Sequence, residues 1–326
     1  MKPVLLLATI IAFLVLNTTL NMLNRWVLGV YRFKFPIFLT MSHLAIGFCI
    51  LAPVMALPTF RPLHHPTIRK QGRGIAAVGF FKVMNIVLNN ASLVYITLSL
   101  NQIIRSAIPV ITAGIGVFVE NKIPTGPELS SLLLLTSGVV LSVWEGSITG
   151  SVTGIAIALS STLSGAAMLS FSGKILSEKL DVLRLTFYTA PVSVGVLIPF
   201  FIFQEAVPLW QHFQQNGYSV LLLILIGAVN AVAYNILHYQ VIFATSSIMT
   251  PVIGMIKVIG VIVLSAVYLG EKRIFSLRML LGCALAIAGF GAYSLLQSQR
   301  RAHEVGRASA VGSTDEKYLL QRPSSV

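Results

Sequence analysis

Apolar stretches of about 17–25 residues, the length that crosses a bilayer as a helix, recur along almost the whole of this 326-residue chain. Within the hydrocarbon core each backbone N–H and C=O has to be satisfied inside the protein, which a helix does by itself. The fold class is therefore an all-α polytopic membrane protein. Ten transmembrane helices are read, at 3–23, 35–57, 74–98, 101–119, 129–145, 151–173, 185–204, 217–240, 246–269 and 276–296, with charge, Pro or Gly marking the breaks. Only 10% of the residues are charged, against about 25% in a soluble domain, so no room is left for a soluble catalytic domain. Span 1 begins almost at Met1. No signal or transit peptide is expected ahead of it, although the span itself can act as a signal anchor. Cys49 and Cys283 both sit in apolar runs and read as small core residues.

The net charge of +13 sets topology here and is no sign of nucleic-acid binding. Short cytosolic loops collect Lys and Arg. With the N-terminus in the cytosol, that side holds 14 of them, including Arg61, Arg69, Lys70, Arg73, Lys122, Lys174, Lys179 and Arg184. The opposite side holds six: Arg25, Arg32, Lys34, Lys272, Arg273 and Arg278. Both termini are thus expected in the cytosol, with an even number of spans. Residues 298–326 are polar and rich in Gly, Ser and basic residues, and read as a disordered cytosolic tail. Within it, Asp315-Glu-Lys-Tyr-Leu319-Leu320 resembles an acidic dileucine sorting signal.

Three basic residues remain inside spans: Lys82, Arg105 and Lys257. All ten acids lie at span ends, in loops or in the tail. A lone charge deep in the membrane costs roughly 2.5–3.5 kcal/mol on insertion scales and is read as functional by default. A proton relay or cation pathway would want carboxylates there. A cationic interior suits an anionic substrate. Lys257 carries this most strongly, because Gly254 and Gly260 at i−3 and i+3 clear its face and Pro251 loosens the helix before it. The alternative for Lys257 is a cap on the carbonyls of a broken helix.

Five spans followed by five suggest a duplication. Arg105 precedes Glu120 by 15 residues, and Lys257 precedes Glu271 by 14, with a lysine after each acid. An odd number of spans per half inverts the halves relative to each other, and in such folds the substrate sits near the midplane at the repeat interface. The expected organisation is a first five-helix repeat at 1–145, a second at 146–297 and the tail at 298–326.

Other polar residues in the spans are weighed between packing and substrate contact. Asn17, Asn21 and Asn24 share one face of span 1, which serves helix–helix hydrogen bonding or cavity lining equally well. Lys82 lies about two turns from the cytosolic end of span 3 and reads as a snorkelling residue. Asn89, in the same span as Asn85 and Asn90, is deeper and is the better site candidate. Arg105 has snorkelling and substrate binding as open alternatives. Pro109 removes the donor that would bond its carbonyl, so the helix is expected to bend there. Tyr188 in span 7 and Tyr239 in span 8 can stack on a base or sugar and still hydrogen-bond, or simply pack. Asn235 is deep enough to need a partner, and His43 reads as structural. No His, Cys or acid cluster has metal-ligand spacing, and neither a cofactor nor a metal is expected.

The segments Asn24-Arg-Trp-Val-Leu28, Phe35-Pro-Ile-Phe-Leu39, Asn90-Ala-Ser-Leu-Val-Tyr95, Leu98-Ser-Leu-Asn-Gln-Ile-Ile-Arg105, Tyr188-Thr-Ala-Pro191 and Gly254-Met-Ile-Lys257-Val258 occur in this order. Together they resemble the triose-phosphate translocator and nucleotide-sugar transporter branch of the drug/metabolite transporter superfamily, over roughly residues 1–297. The resemblance implies two inverted five-helix repeats, a central cavity, and exchange of a phosphorylated anion by alternating access. It implies that Lys257 binds substrate phosphate and that Arg105 fills the place of a span-4 lysine. An Arg fork can still grip phosphate. Plastid phosphate translocators place Lys-Arg together in span 9, whereas here Lys257 is followed by Val258, which looks more like the nucleotide-sugar group. Ile256 before Lys257 departs from the Golgi GDP-mannose signature.

The sequence thus leads to a Golgi or other endomembrane antiporter that exchanges a nucleotide sugar for a nucleoside monophosphate, not to an enzyme. Lys257 and Arg105 are expected on phosphate, and Asn89, Tyr188, Asn235 and Tyr239 on sugar or base. Exchange of triose phosphate, or another sugar phosphate, for phosphate is the alternative. A membrane enzyme would need an acid, His or Cys pair facing a cavity. A non-transporting scaffold has no use for an uncompensated cationic interior. The expected partners are the substrates and the lipid bilayer, with no nucleic acid; a homodimer stays open.

Overall fold

The computed structural model describes residues 3–144, 151–255 and 277–320. The described chain is helical, with no extended strand. Helix α1 (Pro3–Arg25) runs into a π-helical turn, Trp26–Val30. It is followed by α2 (Pro36–Met55), α3 (His64–Ser92), α4 (Leu98–Arg105), α5 (Ile108–Val119) and α6 (Gly126–Val143). The second half comprises α7 (Val152–Ser177), α8 (Val182–Gln204), α9 (Ala206–Asn216), α10 (Val220–Ala244), the helical stretch 249–255 (α11) and α12 (Leu277–Leu320). Among the described residues, eight helical segments are long and apolar enough to cross a membrane, with α4 and α5 together forming one, Leu100–Val119. Helix α6 is apolar but shorter, and most of the span expected at 246–269 lies outside the described residues.

Helix starts follow local chemistry. The Thr97 hydroxyl accepts from Leu100 N at the head of α4, and Ser151 does the same from Gly154 N for α7. Thr125 and Glu128 form a reciprocal capping box on α6, and the Asp181 carboxylate accepts from Arg184 N on α8. Helix α2 has no such local cap. Its first free N–H groups, on Ile37 and Phe38, donate to the Glu205 carboxylate at 2.9 and 2.7 Å, from the corner between α8 and α9. Between α4 and α5 the helix breaks two residues before Pro109, and the Ser106 carbonyl accepts from Thr136 Oγ1 on α6 at 3.2 Å.

The helices of the described chain pair mainly across its length. Helix α1 packs on α10 and α3 packs on α7; α10 packs on α2 and α3 packs on α8; α2 meets α8 and α6 meets α12. The α6–α12 contact is the tightest. A Cβ on Gly138 would stand 2.4 Å from Ala286 N, one on Gly282 2.5 Å from Ser142 N, and one on Gly289 2.5 Å from Leu135 N. Without a hydrophobic drive between helices in lipid, such small-residue approach is what joins them. Arg278 donates to the Trp144 carbonyl at one end of this pair, and Arg300 contacts Glu128 at the other at 3.2 Å. The two helices therefore run antiparallel.

Both ends of the bundle follow from these contacts. Phe60 after α2, Lys122 after α5, Lys179 before α8 and Thr245 after α10 line one cavity, so these turns share one end. The start of α1 and the Arg300 region of α12 fall at that same end, while Glu205 and α9 lie at the opposite one. Beyond Arg300 helix α12 continues to Leu320 through the polar residues that composition reads as a tail.

Candidate functional site

A polar seam crosses the middle of the bundle between α1, α3, α4, α7 and α10. Lys82, Asn85 and Asn89 lie at i, i+3 and i+7 on α3, hence on one face of it. Arg105 is the last residue of α4, just before the break. Its Nη1 donates to Asn85 Oδ1 at 3.2 Å and to Asn89 Oδ1 at 3.0 Å. Ser161 on α7 donates to the carbonyl of Asn85 at 2.8 Å and to its Oδ1 at 3.2 Å. Gly165, one turn further on α7, leaves room for the Asn85 amide, which a Cβ would meet at 3.1 Å.

Helix α10 closes the seam from the other side. Lys82 Nζ donates to Asn235 Oδ1 at 2.8 Å and stands 5.9 Å from the centre of the Tyr239 ring. Asn235 Nδ2 is committed to the Ala231 carbonyl at 2.7 Å, which turns its oxygen toward the lysine. Tyr234 stacks on Phe13 and accepts from Asn17 Nδ2 at 3.3 Å. Asn17 in turn accepts from Asn21. Of the alternatives for the span-1 amides, Asn17 and Asn21 thus make interhelical and intrahelical hydrogen bonds. His238, beside Tyr234 and Tyr239, has two buried ring nitrogens, neither of them hydrogen-bonded among the described residues.

The structure brings Arg105 to Asn89, and Asn235 and Tyr239 to Lys82. Tyr188 stands apart. Its hydroxyl is hydrogen-bonded to His64 Nδ1, and His64 Nε2 lies 2.9 Å from the Met55 carbonyl, at the corner between α2 and α3. Lys257 lies outside the described residues. Lys82 does not extend toward the membrane surface as a snorkelling side chain would; it reaches across to α10. Sequence reading passed over Lys82, Asn85, Ser161 and Tyr234 as site residues, although the i, i+3, i+7 face of α3 was a usable signal for the first two.

Among the described residues no carboxylate joins the seam. The described acids that form ion pairs are Glu120 with Lys122, Asp181 with Arg184 and Glu128 with Arg300, all at helix ends. Among the described residues no cluster of His, Cys, Asp or Glu could hold a metal. The cavity of ≈ 740 Å³ lies at the end where α1 begins, with Lys122 and Lys179 on its lining. There the buried Glu120 carboxylate accepts from Ser247 Oγ, and Gly173 lets both approach to 3.0 Å of where a Cβ would sit.

Comparison with known proteins gives this geometry a context. The profile of the Triose-phosphate Transporter family matches residues 4–294. An Arabidopsis thaliana protein named "Probable sugar phosphate/phosphate translocator At1g12500" is 30% identical over 78% of this chain and 72% of its own length. "UDP-uronic acid transporter 1" of the same plant is 27% identical over 92% of this chain and 97% of its own. Its "UDP-galactose transporter 1" is 27% identical over 86% and 84%. A solved protein crystal structure superposes with a TM-score of 0.64 over 89% of this chain and 98% of its own, at 13% identity, which is a likeness of fold.

Proposed function

The chain belongs to the Triose-phosphate Transporter family, and we propose that within it this protein exchanges a nucleotide sugar for a nucleoside monophosphate by alternating access. The family is one of transporters, not enzymes, and its relatives carry phosphorylated substrates by name. The observation that carries the reading is the seam itself: two inward cations, Lys82 and Arg105, met only by amides, hydroxyls and aromatic rings among the described residues. A charge left that way in a membrane calls for an anion that arrives from outside.

Arg105 is the phosphate-binding group on this side. Its guanidinium offers five N–H donors, and its two hydrogen bonds to described side chains both use Nη1, so the rest of the fork is available to a phosphate. Lys257 supplies the second phosphate contact from the pseudo-symmetric position. Asn89 orients Arg105, while Asn235 and Tyr239 face the sugar or base. Tyr188 serves packing, with its hydroxyl committed to His64.

The reading includes ten spans as two inverted five-helix repeats, a reading supported by the corresponding pairs α1 on α10 with α7 on α3, and α2 on α10 with α8 on α3. It also includes a Golgi or endomembrane location with both termini cytosolic, supported by the charge bias and by nucleotide-sugar carriers among the relatives. Exchange of a sugar phosphate for phosphate is a second reading, favoured by the 30% identical relative. Proteoliposomes preloaded with nucleoside monophosphates decide between them. Uptake of nucleotide sugars, lost in Lys257→Ala and reduced in Arg105→Ala at normal expression, supports the first reading. Uptake of sugar phosphates by phosphate-loaded vesicles alone supports the second, and full activity of Lys257→Ala removes its phosphate role.

A further inference from the structure

Arg105 takes the phosphate in the reading above, whereas Lys82, the other inward cation of the seam, has not yet been matched to a particular group of the substrate. Lys82 is half-buried. Its ammonium crosses from α3 to α10, where Asn235 presents an oxygen and Tyr239 presents a ring face. Both partners are neutral. An amide oxygen and a π face orient a cation, but they leave its charge uncompensated. Among the described residues no acid pairs with it; the paired acids are held by Lys122, Arg184 and Arg300. Lys82 also lies one turn from Asn85 on the face of α3 that carries both side-chain partners of Arg105, Asn85 and Asn89. A single substrate in the seam therefore faces both.

A phosphate held by Arg105 leaves Lys82 as a further cation of the seam. We propose that Lys82 is a specificity residue: it binds a carboxylate on the sugar, so that the substrate class is a nucleotide sugar whose sugar is acidic. Asn235 is its positioning residue. It holds the ammonium at 2.8 Å and exchanges that bond for the carboxylate of the substrate. The inference rests on the nucleotide-sugar reading above.

The test uses the full chain in proteoliposomes and nucleotide sugars that differ only in the sugar carboxylate, UDP-glucuronate against UDP-glucose and GDP-mannuronate against GDP-mannose. The wild type is expected to exchange the acidic member of a pair. Lys82→Gln should cut its initial rate at subsaturating concentration by about tenfold, the worth of roughly 1.4 kcal/mol, and change the neutral member less than about twofold. Lys82→Arg should recover most of the loss. Asn235→Asp, which places an internal carboxylate against the ammonium, should lower the acidic-to-neutral ratio in the same direction. It keeps the proposal testable where Lys82→Gln does not insert. A wild type that takes only neutral members, or variants that slow both members equally, overturns the inference and leaves nucleotide-sugar exchange standing. A wild type that takes no nucleotide sugar removes that reading, and this inference with it.

Discussion

Arg105 shows how far a single residue could be read in advance. Its charge and depth are visible in the sequence, and so is Pro109 four residues later. Its anchorage on Asn85 and Asn89 is not, because that depends on how α3 is rotated against α4. Lys82 was misjudged for the same reason: depth suggests snorkelling, whereas rotation toward α10 decides the partner. Asn89→Ala should leave Arg105 with one described anchor and lower exchange less than Arg105→Ala does, by a few-fold against about 10- to 100-fold, since hydrogen bonds to charged groups contribute about 1.5–3 kcal/mol. Rates in the same vesicles at matched protein content check this order.

Glu205 is a second case at this scale. Burial raises its pKa above the ordinary 4.5, and the Ile37 and Phe38 N–H groups pull the other way without cancelling the effect. The folded protein therefore holds this proton more tightly than the unfolded chain, so the group's contribution to stability is complete below 4.5 and is lost as pH rises through the raised value. Melting temperatures in detergent should accordingly fall relative to Glu205→Gln as pH rises past that point, and a constant difference would contradict it. Glu205→Ala should destabilise at every pH by about 1–3 kcal/mol, the cost of leaving buried donors unmet.

At the scale of the helix, hydropathy marks membrane and not helix ends. Helix α3 begins at His64 and not at 74, because the basic turn before its apolar part is helical as well. Helix α9 escaped notice because it is short and only partly apolar. The break between α4 and α5 was legible from Pro109. The α6–α12 contact was not, since scattered glycines acquire meaning only when two helices put them face to face. Gly138→Val should therefore meet the backbone of Ala286, which cannot yield as a side-chain tip would. Overpacking of this kind costs about 1–3 kcal/mol; with backbone on the far side the upper end is expected. Gly195→Ala on α8, where a Cβ meets nothing within 4 Å, should leave the melting temperature unchanged or slightly raised. Equal behaviour of the two variants would mean that α6 and α12 do not pack as described.

For the whole molecule, exposed apolar residues such as Phe118 and Phe203 need no partner protein, since lipid covers them. The all-helical membrane fold was legible from run length alone. Orientation asks for more, because contacts show which turns share an end and only the charge bias speaks to its side. The charge bias assigns the side of Arg61, Lys122 and Lys179 to the cytosol. The contacts separately place Phe60, Lys122 and Lys179 around one cavity, with the start of α1 and Arg300 at the same end. Helix α8 leaves this end at Val182 and reaches Gln204 after 23 residues, about 34 Å at 1.5 Å per residue, so α9 has to emerge on the other side of the bilayer. With Cys49 and Cys283 replaced by serine, Lys122→Cys in sealed vesicles whose cytosolic face is outward should react with an impermeant maleimide from outside. Asn216→Cys should react only after permeabilisation. Both positions are exposed, so failure to label cannot be ascribed to burial. The reverse pattern would turn the transporter over in the membrane and put the cavity mouth, Lys122 and Lys179 included, in the lumen. It would leave the helix pairing intact and break the link between charge bias and topology on which the cytosolic termini depend.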